Sequence, residues 1–172
     1  MPTNKRSTAS DGAFILTRVF DAPLRRVWQA WSEASELQSW WGPKGCSVKV
    51  ATLEFRPGGF FHYAMRFSNG PETWGRFIYR DIEKQKRIIW LNSFSNEECG
   101  ITRAPFDALI PLEILNDVTF SESNGRTTVT LRATPHGAAA NEVAMFEGMF
   151  ASLNEGYGGS FEQLADTLAK DA

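Results

Sequence analysis

Histidine, cysteine and charge of a single sign are all scarce in this chain. Of its 172 residues, two are histidine and two are cysteine. Cys46 and Cys99 lie far apart and belong to no Cys-x-x-Cys or Cys/His grouping, so no metal site is expected. They read as free thiols in a reducing compartment. The formal net charge is −2, with 18 Lys and Arg dispersed among 20 Asp and Glu, which argues against a dense cationic face for nucleic acid. No stretch approaches the roughly 20 apolar residues that span a bilayer. Residues 1–12 are small and polar, lack the apolar segment of a signal peptide and read as a disordered tail. A cytoplasmic protein with neither a membrane nor a nucleic-acid partner is expected. A glycine-rich phosphate loop is missing as well, because Gly58-Gly59 is only a hairpin turn, and no cofactor is expected.

Aromatic residues, by contrast, are abundant, at 13 Phe, 6 Trp and 3 Tyr. Residues 13–172 suffice for one domain with one core. Phe14–Phe20, rich in β-branched and aromatic residues, reads as a first strand. Asp21-Ala22-Pro23 opens a helix carrying Leu24, Val27, Trp28 and Trp31, with proline in the first turn, where an N–H would be unsatisfied anyway. A second short helix over residues 34–40 stops at Gly42-Pro43. Strands follow at residues 46–55, 60–67, 72–83, 87–94, 112–121 and 126–134, the last two forming a hairpin on Ser123-Asn124-Gly125. Residues 139–169 read as one long amphipathic helix, with Val143, Phe146, Phe150, Leu153, Tyr157, Phe161, Leu164 and Leu168 at three- and four-residue steps. Gly156, Gly158 and Gly159 interrupt it, which suggests either a kink or close approach by a ligand or another backbone. Residues 95–111 have no period. Their apolar side chains either pin the loop to the body or form a lid over a pocket mouth.

Consecutive strands joined by short turns make an antiparallel meander. The final helix is the one element long enough to cover a face of it. The class is therefore α+β, with six to seven strands curved around a long C-terminal helix and two short helices after the first strand. Alternation puts Phe61, Tyr63 and Met65 on one strand face, Gly75, Phe77 and Tyr79 on the next, and Ile88, Trp90, Asn92 and Phe94 on the one after.

This order of elements, with Phe20-Asp21-Ala22-Pro23-Leu24-Arg25-Arg26-Val27-Trp28, Trp40-Trp41-Gly42-Pro43, Arg56-Pro57-Gly58-Gly59 and Glu155-Gly156-Tyr157-Gly158-Gly159-Ser160-Phe161-Glu162-Gln163-Leu164, resembles the helix-grip fold of the START-like (SRPBCC) superfamily. More narrowly it resembles the family similar to the activator of the heat-shock chaperone ATPase. The resemblance covers residues 14–170. It implies an apolar cavity between sheet and helix. Among such relatives are chaperone activators, proteins that sequester hydrophobic metabolites, cyclases and lipid carriers, so the fold alone does not settle the activity.

The ligand-binding candidates are Trp41, Phe61, Tyr63, Met65, Phe77, Tyr79, Trp90, Phe146, Phe150 and Tyr157, an apolar wall with a few polar tips. The same residues could equally fill a core, with their hydroxyls bonded to backbone. No catalytic residue is assigned. His62 falls on the strand face away from the cavity and His136 in a turn. The expected function is binding of a small hydrophobic molecule, aromatic ones included. A cyclase- or hydrolase-type enzyme using Tyr63 or Tyr79 as a proton donor and a chaperone-activating role are the alternatives, and a homodimer is compatible with each.

Overall fold

The computed structural model describes residues 12–170. The expected disordered tail lies outside the described residues except for Gly12, which is buried. The chain forms, in order, β1 (Phe14–Phe20), α1 (Leu24–Ser32), α2 (Ala34–Trp40), β2 (Cys46–Leu53), β3 (Phe60–Phe67), β4 (Glu72–Glu83), β5 (Arg87–Ser95), β6 (Ile101–Thr102), β7 (Glu113–Ser123), β8 (Arg126–His136), α3 (Ala140–Gly148) and α4 (Phe150–Ala169). The strands line up as β1-β8-β7-β5-β4-β3-β2, with the two-residue β6 hanging on β5. Every pairing is antiparallel. The sheet is a curled half-barrel. Register shifts between Val50 and Thr52 in β2 and between Tyr79 and Asp81 in β4 act as bulges, which bend a strand and sharpen its twist. The β7–β8 hairpin turns on Asn124 and Gly125, with φ of 54° and 75°. Asparagine and glycine are the residues that tolerate this left-handed backbone, and two such residues together match the twist of the strands they join.

The helix at the start differs from expectation by one position. Pro23 sits just before α1 as its N-cap and has no side-chain capping bond. The cap comes from across the sheet, where the Glu122 carboxylate of β7 accepts the Leu24 N–H at 2.7 Å. A negative charge there also complements the positive end of the helix dipole. Val27, Trp28, Ala30 and Trp31 of α1 and Leu37 and Trp40 of α2 are buried. The Trp40 indole N–H is satisfied by the Ala30 carbonyl at 2.8 Å.

The C-terminal element is two helices, not one. Met149 leaves helical geometry at φ −94° and ψ 2°, and its N–H bonds to the Phe146 carbonyl at 3.0 Å. That tighter bond, three residues back, follows Gly148 and ends α3. Gly156, Gly158 and Gly159 lie instead inside the unbroken α4, whose 20 residues span about 30 Å at 1.5 Å per residue. Gly159 meets the chain after α2: a Cβ there would lie 3.5 Å from the Lys44 backbone N. The Gln163 amide and the Ser160 hydroxyl both donate to the Gly42 carbonyl, at 2.7 and 2.8 Å. These bonds clamp α4 to the segment that follows α2.

Candidate functional site

Along the inside of the half-barrel the aromatic side chains divide into two zones. In the first the rings interlock. Trp31 packs edge-on against Trp40 at 4.7 Å, Phe77 stacks on Trp90 at 4.5 Å and 17°, and Phe61 meets Phe77 at 5.0 Å and 88°. Tyr79 sits against Phe55 at 5.2 Å. Phe146 is fully buried and touches Phe150 at 5.6 Å, while the half-buried Phe150 also packs on Phe14 at 5.7 Å. In the second zone the packing stops and leaves a cavity of about 290 Å³.

Four sequence candidates, Trp41, Tyr63, Met65 and Tyr157, line that cavity. The other six, Phe61, Phe77, Tyr79, Trp90, Phe146 and Phe150, lie in the filled zone and are not on its wall. The reason is depth. Alternation assigns a side chain to a face, but the position along the barrel decides whether α4 and its neighbours cover it. Much of the remaining wall comes from Gly75 of β4, Asn92 and Phe94 of β5, Ile114 of β7 and, from α4 and the residue before it, Met149, Ser152, Leu153, Gly156 and Ser160. None of the residues lining the cavity carries a charge.

Gly75 shows how sequence builds this wall. It pairs with Tyr63 across β3 and β4. A Cβ at Gly75 would lie 2.6 Å from both Cζ and the hydroxyl oxygen of Tyr63. The tyrosine ring therefore lies over the bare glycine, a role that an isolated glycine in a strand often signals. On the opposite wall nothing beyond its own stretch of helix comes within 4 Å of where a Cβ of Gly156 would stand, so the helix presents a dent to the cavity.

The polar groups are few and their environments apolar. Burial pushes the Tyr63, Tyr79 and Tyr157 hydroxyls above their ordinary range, because the phenolate would lose its hydration; the neighbouring Trp41 and Asn92 partly offset this at Tyr63. Neutral phenols of this kind donate and accept hydrogen bonds but do not act as bases near neutral pH. Burial also raises the thiol of half-buried Cys46. The Trp90 indole N–H is buried without a partner among the described residues.

Residues 95–111 behave partly as a pinned loop and partly as a rim. Ile110 is buried, whereas Phe106 is 70% exposed. Both border the cavity, and Phe106 rests its edge against Phe94 at 5.6 Å. Arg103 forms an ion pair with Glu142 of α3, which fastens this loop. The apolar side chains of this loop, Phe106 and Ile110 among them, were legible as pins or as a lid, but the absence of any sequence period left open which of them border the cavity.

His62 occupies the outer face of the sheet. It is buried, stacks on Trp74 at 4.7 Å, and its Nε2 lies 3.0 Å from the Asn96 carbonyl. His136 ends β8 opposite Glu113. Among the described residues no group of three or more His, Cys, Asp or Glu could hold a metal ion, and no helix is long and apolar enough to cross a membrane.

Comparison with known proteins agrees with this architecture. Residues 21–169 match the family described as Activator of Hsp90 ATPase homolog 1-like protein. No curated protein sequence matches. Among solved structures, a protein from Arthrobacter aurescens shares 26% identity at a TM-score of 0.76, over 92% of this chain and 86% of that one. Protein Ms6760 from Mycobacterium smegmatis shares 24% at a TM-score of 0.73, covering 91% and 90% of the two chains. The AHSA1 protein SPO3351 from Silicibacter pomeroyi shares 18% at 0.71, covering 93% and 99%.

Proposed function

We propose that this chain, which belongs to the Activator of Hsp90 ATPase homolog 1-like protein family, binds a small, uncharged and mainly apolar molecule in the cavity beneath α4. The observation that carries this reading is the cavity itself. Beside a zone of interlocked rings, about 290 Å³ stays open and is bounded by uncharged residues. That volume lies at the lower end of the range for small-molecule pockets, which favours a ligand of one or two rings. Trp41, Tyr63, Met65 and Tyr157 are its proposed contacts, joined by Phe94, Leu153 and Phe106 at the rim. A charged ligand would enter without a partner for its charge, at a large desolvation cost. The free thiols of Cys46 and Cys99 support a reducing compartment such as the cytoplasm.

Thermal-shift measurements and native mass spectrometry with a panel of neutral bicyclic aromatics test the reading. Binding at one hundred times Kd adds about 2.7 kcal/mol to stability, an easily measured rise in Tm. Gly156→Phe should place a ring in the dent and abolish that rise while the protein stays folded. A panel that gives neither a shift nor a bound mass overturns the proposal.

A further inference from the structure

Two tyrosines and two asparagines give the cavity a direction, and the direction can be worked out atom by atom. The Asn92 side-chain amide lies 3.0 Å from the Arg76 carbonyl oxygen. A carbonyl only accepts, so the group facing it is Nδ2. The same Nδ2 lies 3.4 Å from the Tyr63 oxygen, so Asn92 donates and Tyr63 accepts. The Trp41 ring packs edge-on against Tyr63, with centroids 6.3 Å apart, and its indole N–H could only donate to that oxygen. Among the described residues the Tyr63 hydroxyl therefore accepts from Asn92 and has no acceptor for its own proton.

Tyr157 is held the opposite way round. The Asn116 Nδ2 donates to the Ile114 carbonyl at 3.3 Å, which fixes Oδ1 as the atom 3.0 Å from the Tyr157 hydroxyl. An amide oxygen cannot donate, so Tyr157 gives its proton to Asn116 and keeps its lone pairs. Asn116 is fully buried, and turning its amide would set two oxygens against each other in an apolar setting. Both tyrosines line the same cavity.

The geometry points to a ligand that carries a hydrogen-bond acceptor, such as a ketone oxygen, for the Tyr63 hydroxyl and a separate donor, such as a phenol or alcohol hydroxyl, for the Tyr157 oxygen. The inference rests on the cavity being a binding site and adds the class of molecule it takes: a neutral carbonyl compound bearing a hydroxyl, read with a fixed polarity. The raised tyrosine pKa values agree, since both hydroxyls stay protonated. Carboxylates are disfavoured because no cation borders the space.

The test uses four probes of nearly equal size: tetralin, tetralone, tetrahydronaphthol and tetrahydronaphthoate. Affinities are read by calorimetry on the full chain and on Tyr63→Phe and Tyr157→Phe. Tetralone and tetrahydronaphthol should each bind roughly five- to tenfold more tightly than tetralin, the increment of one net hydrogen bond, and tetrahydronaphthoate more weakly than all three. Tyr63→Phe should erase the advantage of tetralone, and Tyr157→Phe should leave it intact while lowering that of tetrahydronaphthol. Tetralin affinity within twofold of the parent reports an intact cavity in each variant. Should a variant not fold, the order of affinities on the unaltered chain decides alone. Equal binding of tetralin, tetralone and tetrahydronaphthol overturns this inference and leaves the apolar binding site standing. So does loss of the tetralone advantage in Tyr157→Phe in place of Tyr63→Phe. Failure of all four probes to bind overturns both readings together.

Discussion

Single residues decide where this protein is solid and where it is hollow. Gly75 is the clearest case. Its missing side chain is the space in which the Tyr63 ring lies, at 2.6 Å from a would-be Cβ. Gly75→Ala should displace the ring toward the cavity and cost about 1–3 kcal/mol, the usual penalty for overfilling a packed site. Urea unfolding measures the loss, and ligand affinity should fall with it. This pairing was half legible beforehand. Alternation placed Tyr63 and Gly75 on inward faces, but only the register of β3 against β4 reveals that they are opposite each other. Asn92 was legible as a polar tip on an inward face. Asn116 was not, because a lone asparagine in an apolar strand carries no periodic signal of its own.

At the level of elements, strands were easier to read than the last helical stretch. Period-two patterning and the Asn124-Gly125 turn delimit the strands to within about two residues. The break between α3 and α4 escaped, because three glycines downstream offered a more conspicuous place for it. Those glycines remain helical: the bonds from Ser160 and Gln163 to Gly42 hold α4 against its neighbour on one side. The start of α3 depends instead on one carboxylate. Glu142 accepts the Ala139 N–H at 3.0 Å and pairs with Arg103 of the loop. The Ala139 bond first and the Arg103 interaction second hold its pKa below the ordinary 4.5. A carboxylate with a depressed folded pKa stabilises fully above its unfolded value and loses that contribution as pH falls through the folded one. Glu142→Gln should therefore lower stability at neutral pH and flatten the decline below the ordinary glutamate pKa. Denaturation midpoints of both proteins across the acid range check this, and equal slopes would contradict it.

Across the whole molecule, the filled zone and the open zone should respond differently to the same kind of truncation. Phe77 touches Phe61, Trp41 and Trp90 and is almost fully buried. Phe77→Ala should cost about 3–5 kcal/mol, since transfer and cavity terms add. Met65 already borders empty space. Met65→Ala should cost near the lower end for its type, about 2 kcal/mol, and should enlarge the range of ligands accepted. Chemical denaturation of the two variants gives the comparison, and a larger loss for Met65→Ala would contradict this division of the interior.

The seam between β1 and β8 adds a constraint in time. Thr17 meets Thr130 across it, 113 positions apart in sequence. Pairings between such distant segments close slowly, because a long loop must be ordered first. During synthesis β1 emerges early and finds its partner only after β8 has left the ribosome. Until then Phe14 and Phe20, which end up buried, have no sheet to join. The half-barrel is therefore completed by its first strand, and an arrested or slowed chain would present that strand as an open edge.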